Sequence, residues 1–84
     1  MRVETKVTIH LTPEEAEALE KALKPEAEAR LRGVESSVSR EGGRLTIEIS
    51  APDTSSARAT TNSLLRLAAT ALQTIIESRK VGQA

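Results

Sequence analysis

Residues Ala57–Ser78, ARATTNSLLRLAATALQTIIES, hold most of the large aliphatic side chains in the second half of the chain. At about 100° per residue, the apolar positions of this segment form one continuous arc on a helix. The arc covers about 200°, roughly twice the stripe that one packing partner requires. A single sheet cannot cover this helix, so either the first helix or another chain must cover the rest.

The composition limits how so small a protein can be stabilised. The 84 residues include no cysteine and no aromatic residue, so disulfides, thiolate metal sites and aromatic core residues are excluded. We expect a single domain over residues 1–84, and chains near this size bury only about 60% of their surface on folding. Oligomerisation remains as a way to bury more apolar surface, so the composition favours a self-associating or partner-bound protein.

Charge and hydropathy exclude several classes of function. Lys plus Arg equal Asp plus Glu at twelve each, so no overall basic field attracts nucleic acid. No apolar run approaches the ~18 residues of a membrane span. The start, MRVETK, also lacks the apolar segment of a signal peptide. These features predict a cytoplasmic protein with no membrane partner.

Alternation of apolar and polar residues predicts three strands. They cover residues 3–11, 34–40 and 44–51. The last two strands are joined by EGG, in which two glycines supply the positive φ of a tight hairpin. Hairpin-connected strands pair antiparallel, so we expect an antiparallel sheet.

Two helices are predicted, one after the first strand and one over the segment quoted above. Thr12, Pro13 and Glu15 make a strong start with a capping box. The restriction before proline predicts that the first helix ends close to Pro25. For residues 25–33 the sequence leaves two alternatives, a helical turn or a loop. The order β-α-β-β-α predicts an α+β fold, a three-stranded antiparallel sheet with two helices over one face.

No catalytic or metal-binding constellation is apparent in the sequence. His10 is the single histidine and has no cysteine to join it at a metal, and Glu14, Glu15 and Glu17 are explained by the helix start. No base accompanies the serines and threonines before the last helix. We therefore expect no enzyme activity, no cofactor, no metal and no small-molecule substrate.

The element order resembles that of KH-like RNA-binding folds, which makes RNA a candidate partner. The GxxG clamp of KH domains and the aromatic platforms that stack bases are both absent. Four arginines around the hairpin could form a basic edge that touches phosphates: Arg30, Arg32, Arg40 and Arg44. A stand-alone KH-like RNA-binding domain is one alternative, and a generic homodimeric interaction module is another.

Three polar residues follow one another at the start of the last helix. Arg58, Asn62 and Arg66 have four-residue spacing, so they lie in a row along the border of the apolar arc. An Arg and an Asn also suit an acyl phosphatase type of site, but the backbone loop that would cradle an anion is missing. We expect the row to bond to a neighbouring element or to reach across an interface.

The last helix and the turn before it resemble a known family. The pattern D…RA..NS.LR, which begins at Asp53 and ends at Arg66, is similar to a signature of the Pcc family, the smallest core subunit of the KEOPS complex. Its residues are Asp53, Arg58, Ala59, Asn62, Ser63, Leu65 and Arg66. The chain length, the element order and the TPEE-like helix start are also similar, and the lack of extensions resembles archaeal members.

The resemblance implies a non-catalytic subunit of a tRNA-modifying assembly. Two copies would form a homodimer that holds two assemblies together and docks through its helices onto the catalytic threonylcarbamoyltransferase subunit, which binds metal and nucleotide. That complex transfers a threonylcarbamoyl group to the adenosine beside the anticodon, and the small subunit helps to engage tRNA.

The same resemblance leads us to expect a docking surface on the last helix. Its apolar part would be Leu64, Leu67, Ala71 and Ile75 on the outward part of the arc, and its polar border would be Arg58, Asn62 and Arg66. The geometry of the homodimer stays open, because the sheet could continue at an exposed edge or the long helices could pair.

Overall fold

The five elements follow one another in the predicted order. The computed structural model describes residues 1–28 and 33–82, and side chains as far as residue 78. The elements are β1 (Val3–His10), α1 (Pro13–Glu28), β2 (Glu35–Glu41), β3 (Arg44–Ala51) and α2 (Thr54–Gly82). The predicted α+β fold, with three antiparallel strands in one sheet and two helices, is confirmed.

The sheet has the strand order β1-β3-β2, so the last strand lies in the centre. β3 pairs with β2 through the hairpin, and it pairs with β1 from Val3 opposite Ala51 to His10 opposite Arg44. The inward side chains of β3 are completely covered, with exposed fractions of 0% for Leu45 and 1% for Ile47. The edge strands β1 and β2 enclose this apolar strand on either side.

Both helices pack on one face of the sheet. α1 lies mainly over β2, whereas α2 lies over β3 and β1, and the two helices contact each other. Leu19 and Leu23 of α1 are fully buried in the core that the helices share with β3. Lys6, Ser37 and Glu48 are exposed on the opposite face, so the sheet has one apolar and one polar face.

The end of α1 differs from the prediction. The helix continues through Pro25 to Glu28, although proline removes one backbone hydrogen bond from the helix. It continues because Ala27, only 3% exposed, extends the buried stripe of α1. Ser36 of β2 also donates a hydrogen bond to the carbonyl oxygen of Ala27 at 2.6 Å, which satisfies one free carbonyl at the helix end. The rest of the open segment, residues 29–32, lies outside the described residues.

Both helices begin at a capping residue. The N–H of Thr12 donates to Glu15 Oε1 at 3.1 Å, and the N–H of Glu15 donates to Thr12 Oγ1 at 3.2 Å, which is the predicted capping box. Asp53 caps α2, because its Oδ1 accepts a hydrogen bond from the N–H of Ser56 at 2.7 Å. This hydrogen bond stabilises the carboxylate and lowers the pKa of Asp53 from its ordinary value.

The hairpin between β2 and β3 uses its two glycines differently. Gly42 has a φ of +60°, as predicted, but the positive φ predicted for Gly43 is wrong. Gly43 is required for a close approach to the end of β1. The N–H of Leu11 donates to the carbonyl oxygen of Gly43 at 2.7 Å, and a Cβ on Gly43 would overlap the carbonyl oxygen of Leu11.

Replacing Gly43 with Ala should therefore lower the free energy of unfolding by about 2 kcal/mol, within the range for overpacked sites. Urea unfolding followed by circular dichroism measures the change. Gly42→Asn is the matched control, because nothing lies within 4 Å of a Cβ at Gly42 and asparagine tolerates a positive φ. A Gly43→Ala variant as stable as the control would contradict the close approach.

The long helix α2 extends beyond the sheet. Its 29 residues span about 44 Å, whereas an eight-residue strand spans about 27 Å. The longest dimension of the protein is accordingly 52 Å. Within residues 1–28 and 33–82, no helix combines the length and the apolar character that crossing a membrane requires.

Candidate protein interface on the long helix

One line of residues on α2 faces the core. Ala57 and Leu64 are each 4% exposed, and Ala68 is 3% exposed. Positions seven apart on a helix differ by only about 20° in direction, so Leu64 points the same way as Ala57. The expectation that Leu64 lies on the outward part of the arc is therefore wrong, because its side chain is used inside the protomer.

The other predicted apolar residues of the interface lie at the border of this core. Leu67, Ala71 and Ile75 are half-buried, and Leu67 and Ala71 pack against the core cluster. The protomer itself thus covers part of the wide arc. This agrees with the alternative in which α1 covers the apolar surface that the sheet leaves open. Only the outer part of these three side chains stays accessible to solvent.

The most exposed apolar residues of α2 were not among the predicted interface residues. Leu65 is 37% exposed and Ile76 is 47% exposed, while Ala69 is exposed and Leu72 is half-buried. We call these four residues the β1-side flank. The sequence contains a signal for their exposure. Around the helix axis, Leu65 and Ile76 point about 80° and 100° away from Ala57, far from the buried line of residues.

The opposite flank of α2 faces α1 across a shallow groove, which we call the helical groove. It is lined by Glu26 of α1 and by Ala59, Asn62, Ser63, Leu64, Arg66, Leu67 and Thr70 of α2. The β1-side flank lies on the other side of the buried line, so it points away from α1. Since α2 lies over β3 and β1, that flank points towards the outer edge of β1.

The polar row of α2 runs along the outer surface from the β1-side flank, where Arg58 points in the same direction as Ile76, to the helical groove. Arg58, Asn62 and Arg66 are all exposed, and Asn62 and Arg66 line the helical groove. None of the three side chains forms a hydrogen bond or an ion pair with another residue in the described part of the chain. The row therefore presents free donors beside apolar surface, the combination that a protein interface uses.

The helices differ strongly in charge. Residues 13–28 contain six glutamates and two lysines, a net charge of −4. From Thr54 to Ile76, α2 carries Arg58 and Arg66 and no acidic residue. The outer surface of the helix pair thus has an acidic half on α1 and a basic half on α2, with the helical groove between them.

Of the four arginines predicted to touch RNA, the two in the described residues, Arg40 and Arg44, lie on opposite faces of the sheet. Arg40 lies on the helix side of the sheet and pairs with Glu20, at 3.3 Å from Nε to Oε1. Arg44 lies on the opposite face and pairs with Glu41, at 3.0 Å from Nη2 to Oε2. Both charges are therefore balanced locally. Arg30 and Arg32 lie outside the described residues, so an RNA contact there stays a prediction.

The described residues bring no catalytic constellation together. Among them, no group of three or more His, Asp or Glu side chains could hold a metal ion. His10 is exposed at the end of β1.

A comparison with known families identifies the family of this chain. The model of the family described as transcription factor Pcc1 matches residues 4–76, which include β2, β3, α1, most of α2 and all of β1 except Val3. Among curated proteins, none matches the sequence. Because the family match spans nearly the whole chain, the protein belongs to the Pcc1 family, a family of KEOPS subunits.

Proposed function

We propose that this protein is a non-catalytic, homodimerising subunit of the KEOPS complex that supports threonylcarbamoyladenosine modification of tRNA beside the anticodon. Membership of the Pcc1 family supports the association with KEOPS. The observation that carries the scaffold role is the row of Arg58, Asn62 and Arg66, whose side chains have no partner in the described part of the chain and border exposed apolar residues. Polar side chains with free donors beside apolar surface are suited to binding a protein, which supports this role.

The outer surface of the helix pair is the docking site in this proposal, and its partner is the catalytic threonylcarbamoyltransferase subunit. Ala59, Ser63 and Thr70 are small side chains that leave the helical groove shallow. A helix of the catalytic subunit can approach such a groove closely. The partner helix would carry acidic residues towards Arg66 and basic residues towards Glu26, because charge complementarity sets the orientation of two docked helices.

The tRNA is engaged by the assembled complex in this proposal. The chain has a net charge of zero, and Arg40 and Arg44 are held in ion pairs. Binding to RNA depends largely on unpaired cationic side chains that neutralise phosphates. The isolated chain should therefore bind tRNA weakly, and contacts near Arg30 and Arg32 would add to a surface built mainly by other subunits.

Co-expression with the catalytic subunit of the same organism tests this function. We expect the tagged chain to retain the catalytic subunit through size-exclusion chromatography, in a one-to-one or two-to-two complex. Omitting the chain should reduce tRNA modification by the reconstituted complex. Failure to co-purify would contradict the KEOPS role, and tight binding of RNA by the chain alone would favour the stand-alone RNA-binding alternative.

A further inference from the structure

All five elements begin or end at one end of the molecule, which we call the Val3 end. β1, β2 and α2 begin there, whereas β3 and α1 end there. The sheet register shows this for the strands, because Val3 is opposite Ala51 and Glu35 is opposite Ser50. α1 ends at the same place, because a carbonyl oxygen of its last turn accepts a hydrogen bond from Ser36 of β2. The Val3 end therefore depends on contacts among five element termini.

The core at the Val3 end is built from small side chains. Its buried residues are Ala27, Val34, Ala51 and Ala57. Among the described residues, the largest fully buried side chains lie further along the elements and are Leu19, Leu23, Leu45 and Ile47. An alanine removes less apolar surface from water than a leucine does. Apolar burial therefore stabilises the Val3 end less than the centre of the core, and such regions open locally first.

The side chain of Arg2 forms three hydrogen bonds across this end. Its Nε donates to Ser50 Oγ at 2.9 Å. Its Nη2 donates to the carbonyl oxygen of Ser50 at 3.0 Å and to the carbonyl oxygen of Gly33 at 2.9 Å. Ser50 lies in the central strand β3, and Gly33 lies shortly before β2. One residue that precedes β1 thus connects this strand to β3 and to the chain that enters β2.

An arginine is well suited to this set of contacts. The two outer strands are two strand spacings apart, about 10 Å, so the bridging side chain must be long. It must also donate to three oxygens at once, which a guanidinium does with its rigid fork of N–H groups, whereas a lysine ammonium is a compact point charge. Hydrogen bonds from a charged donor are stronger than those between neutral groups. Arg2 can therefore stabilise an end of the sheet that has little apolar burial.

The carbonyl oxygen of Ser50 joins Arg2 to the backbone ladder of the sheet. The N–H of Leu11 bonds to the carbonyl oxygen of Gly43, and hydrogen-bonded pairs alternate along an antiparallel ladder. Odd-numbered residues of β3 therefore bond to β1 and even-numbered residues bond to β2, so Ser50 and Glu35 are a hydrogen-bonded pair. The oxygen that accepts the N–H of Glu35 also accepts a bond from Arg2. The N–H of Glu35 is thus the backbone group closest to the contacts of Arg2.

We propose that Arg2 is a latch that holds the Val3 end closed, and that its release lets the start of β2 separate from β3 while the rest of the sheet stays folded. This opening also breaks the hydrogen bond between Ser36 and the last turn of α1. That turn carries Glu26, which lines the helical groove. Arg2 therefore acts on the groove as a positioning residue, through β2 and the end of α1.

Hydrogen exchange of single amides in the full chain, followed by NMR, tests the latch. In the Arg2→Ala variant the amide of Glu35 should exchange at least about 10-fold faster than in the wild type, because its hydrogen bond opens more often. The amide of Ser39, which pairs with Thr46 further along β2, should exchange as in the wild type. Arg44→Ala is the matched control, since it removes an exposed arginine at the other end of β3 and should leave the exchange of Glu35 unchanged.

An Arg2→Lys variant separates the effect of the fork from that of the charge. Its Glu35 amide should also exchange faster than in the wild type, because an ammonium keeps the charge but lacks the fork. Unchanged exchange of Glu35 in either variant would overturn the latch. So would an equal acceleration at Glu35 and Ser39, which would show a uniform loss of stability. The test uses neither a partner nor RNA, so its outcome is independent of the proposed function.

Discussion

The Leu65→Asp variant is expected to sediment as a folded monomer. Leu65 is 37% exposed, so the protomer can keep an aspartate there in contact with water, and its circular dichroism spectrum should match that of the wild type. In the proposed homodimer we expect the exposed apolar residues of the β1-side flank, Leu65 among them, to contact the second copy. An unpaired carboxylate would then be desolvated in each copy, at a cost of several kcal/mol.

Both copies carry the change in a two-fold interface, so we expect the dimer dissociation constant to rise by about 1000-fold or more, which corresponds to roughly 4 kcal/mol. Sedimentation equilibrium over a dilution series measures it. Thr70→Asp is the control, since Thr70 is exposed on the groove side of the same helix and adds the same charge. A Leu65→Asp chain that dimerises as tightly as this control would place the dimer contact elsewhere.

The Arg66→Glu variant should lose most of its affinity for the catalytic subunit and keep its own dimer. Arg66 is exposed beside the helical groove, and no described side chain neutralises it. If an acidic residue of the partner is paired with it, charge reversal both removes that pair and adds a repulsion. Breaking one buried interfacial charge pair costs about 2–5 kcal/mol, so the dissociation constant should rise at least about 30-fold.

Calorimetry without tRNA measures this affinity for the purified subunits. Arg44→Glu is a matched control, because it makes the same charge change on the polar face of the sheet, away from both surfaces of α2. Equal affinities for the two variants would show that the outer surface of α2 is not the docking site. The two variants, Leu65→Asp and Arg66→Glu, together separate dimer contacts from docking contacts.

Local patterns predicted the elements of this protein well. The alternation in residues 44–51 places four inward side chains in the core, and Thr12 and Glu15 form the capping box that their spacing indicates. These signals are reliable because they depend on atoms a few residues apart. The predicted end of α1 was wrong because it depends on tertiary contacts. The helix continues through Pro25 owing to the burial of Ala27 and a hydrogen bond from β2.

The candidate interface was predicted in part. The row of Arg58, Asn62 and Arg66 lies on the surface, as its spacing indicated. The predicted apolar part of the interface differs from the exposed apolar surface by part of a helical turn, because Leu64 faces the core and Leu65 faces outward. An arc of about 200° shows that a helix has surplus apolar surface, but it does not show which third of the arc the sheet covers.

The sequence by itself determined the order of the elements, the capping box of α1, the polar row of α2 and the presence of more apolar helix surface than one sheet covers. The tertiary structure alone decided that β3 lies between β1 and β2 and that α2 lies over β1, because strand order depends on pairing between distant residues. That placement puts Leu65 and Ile76 beside the open edge of β1. Two surfaces that are far apart in the sequence thereby become one candidate interface.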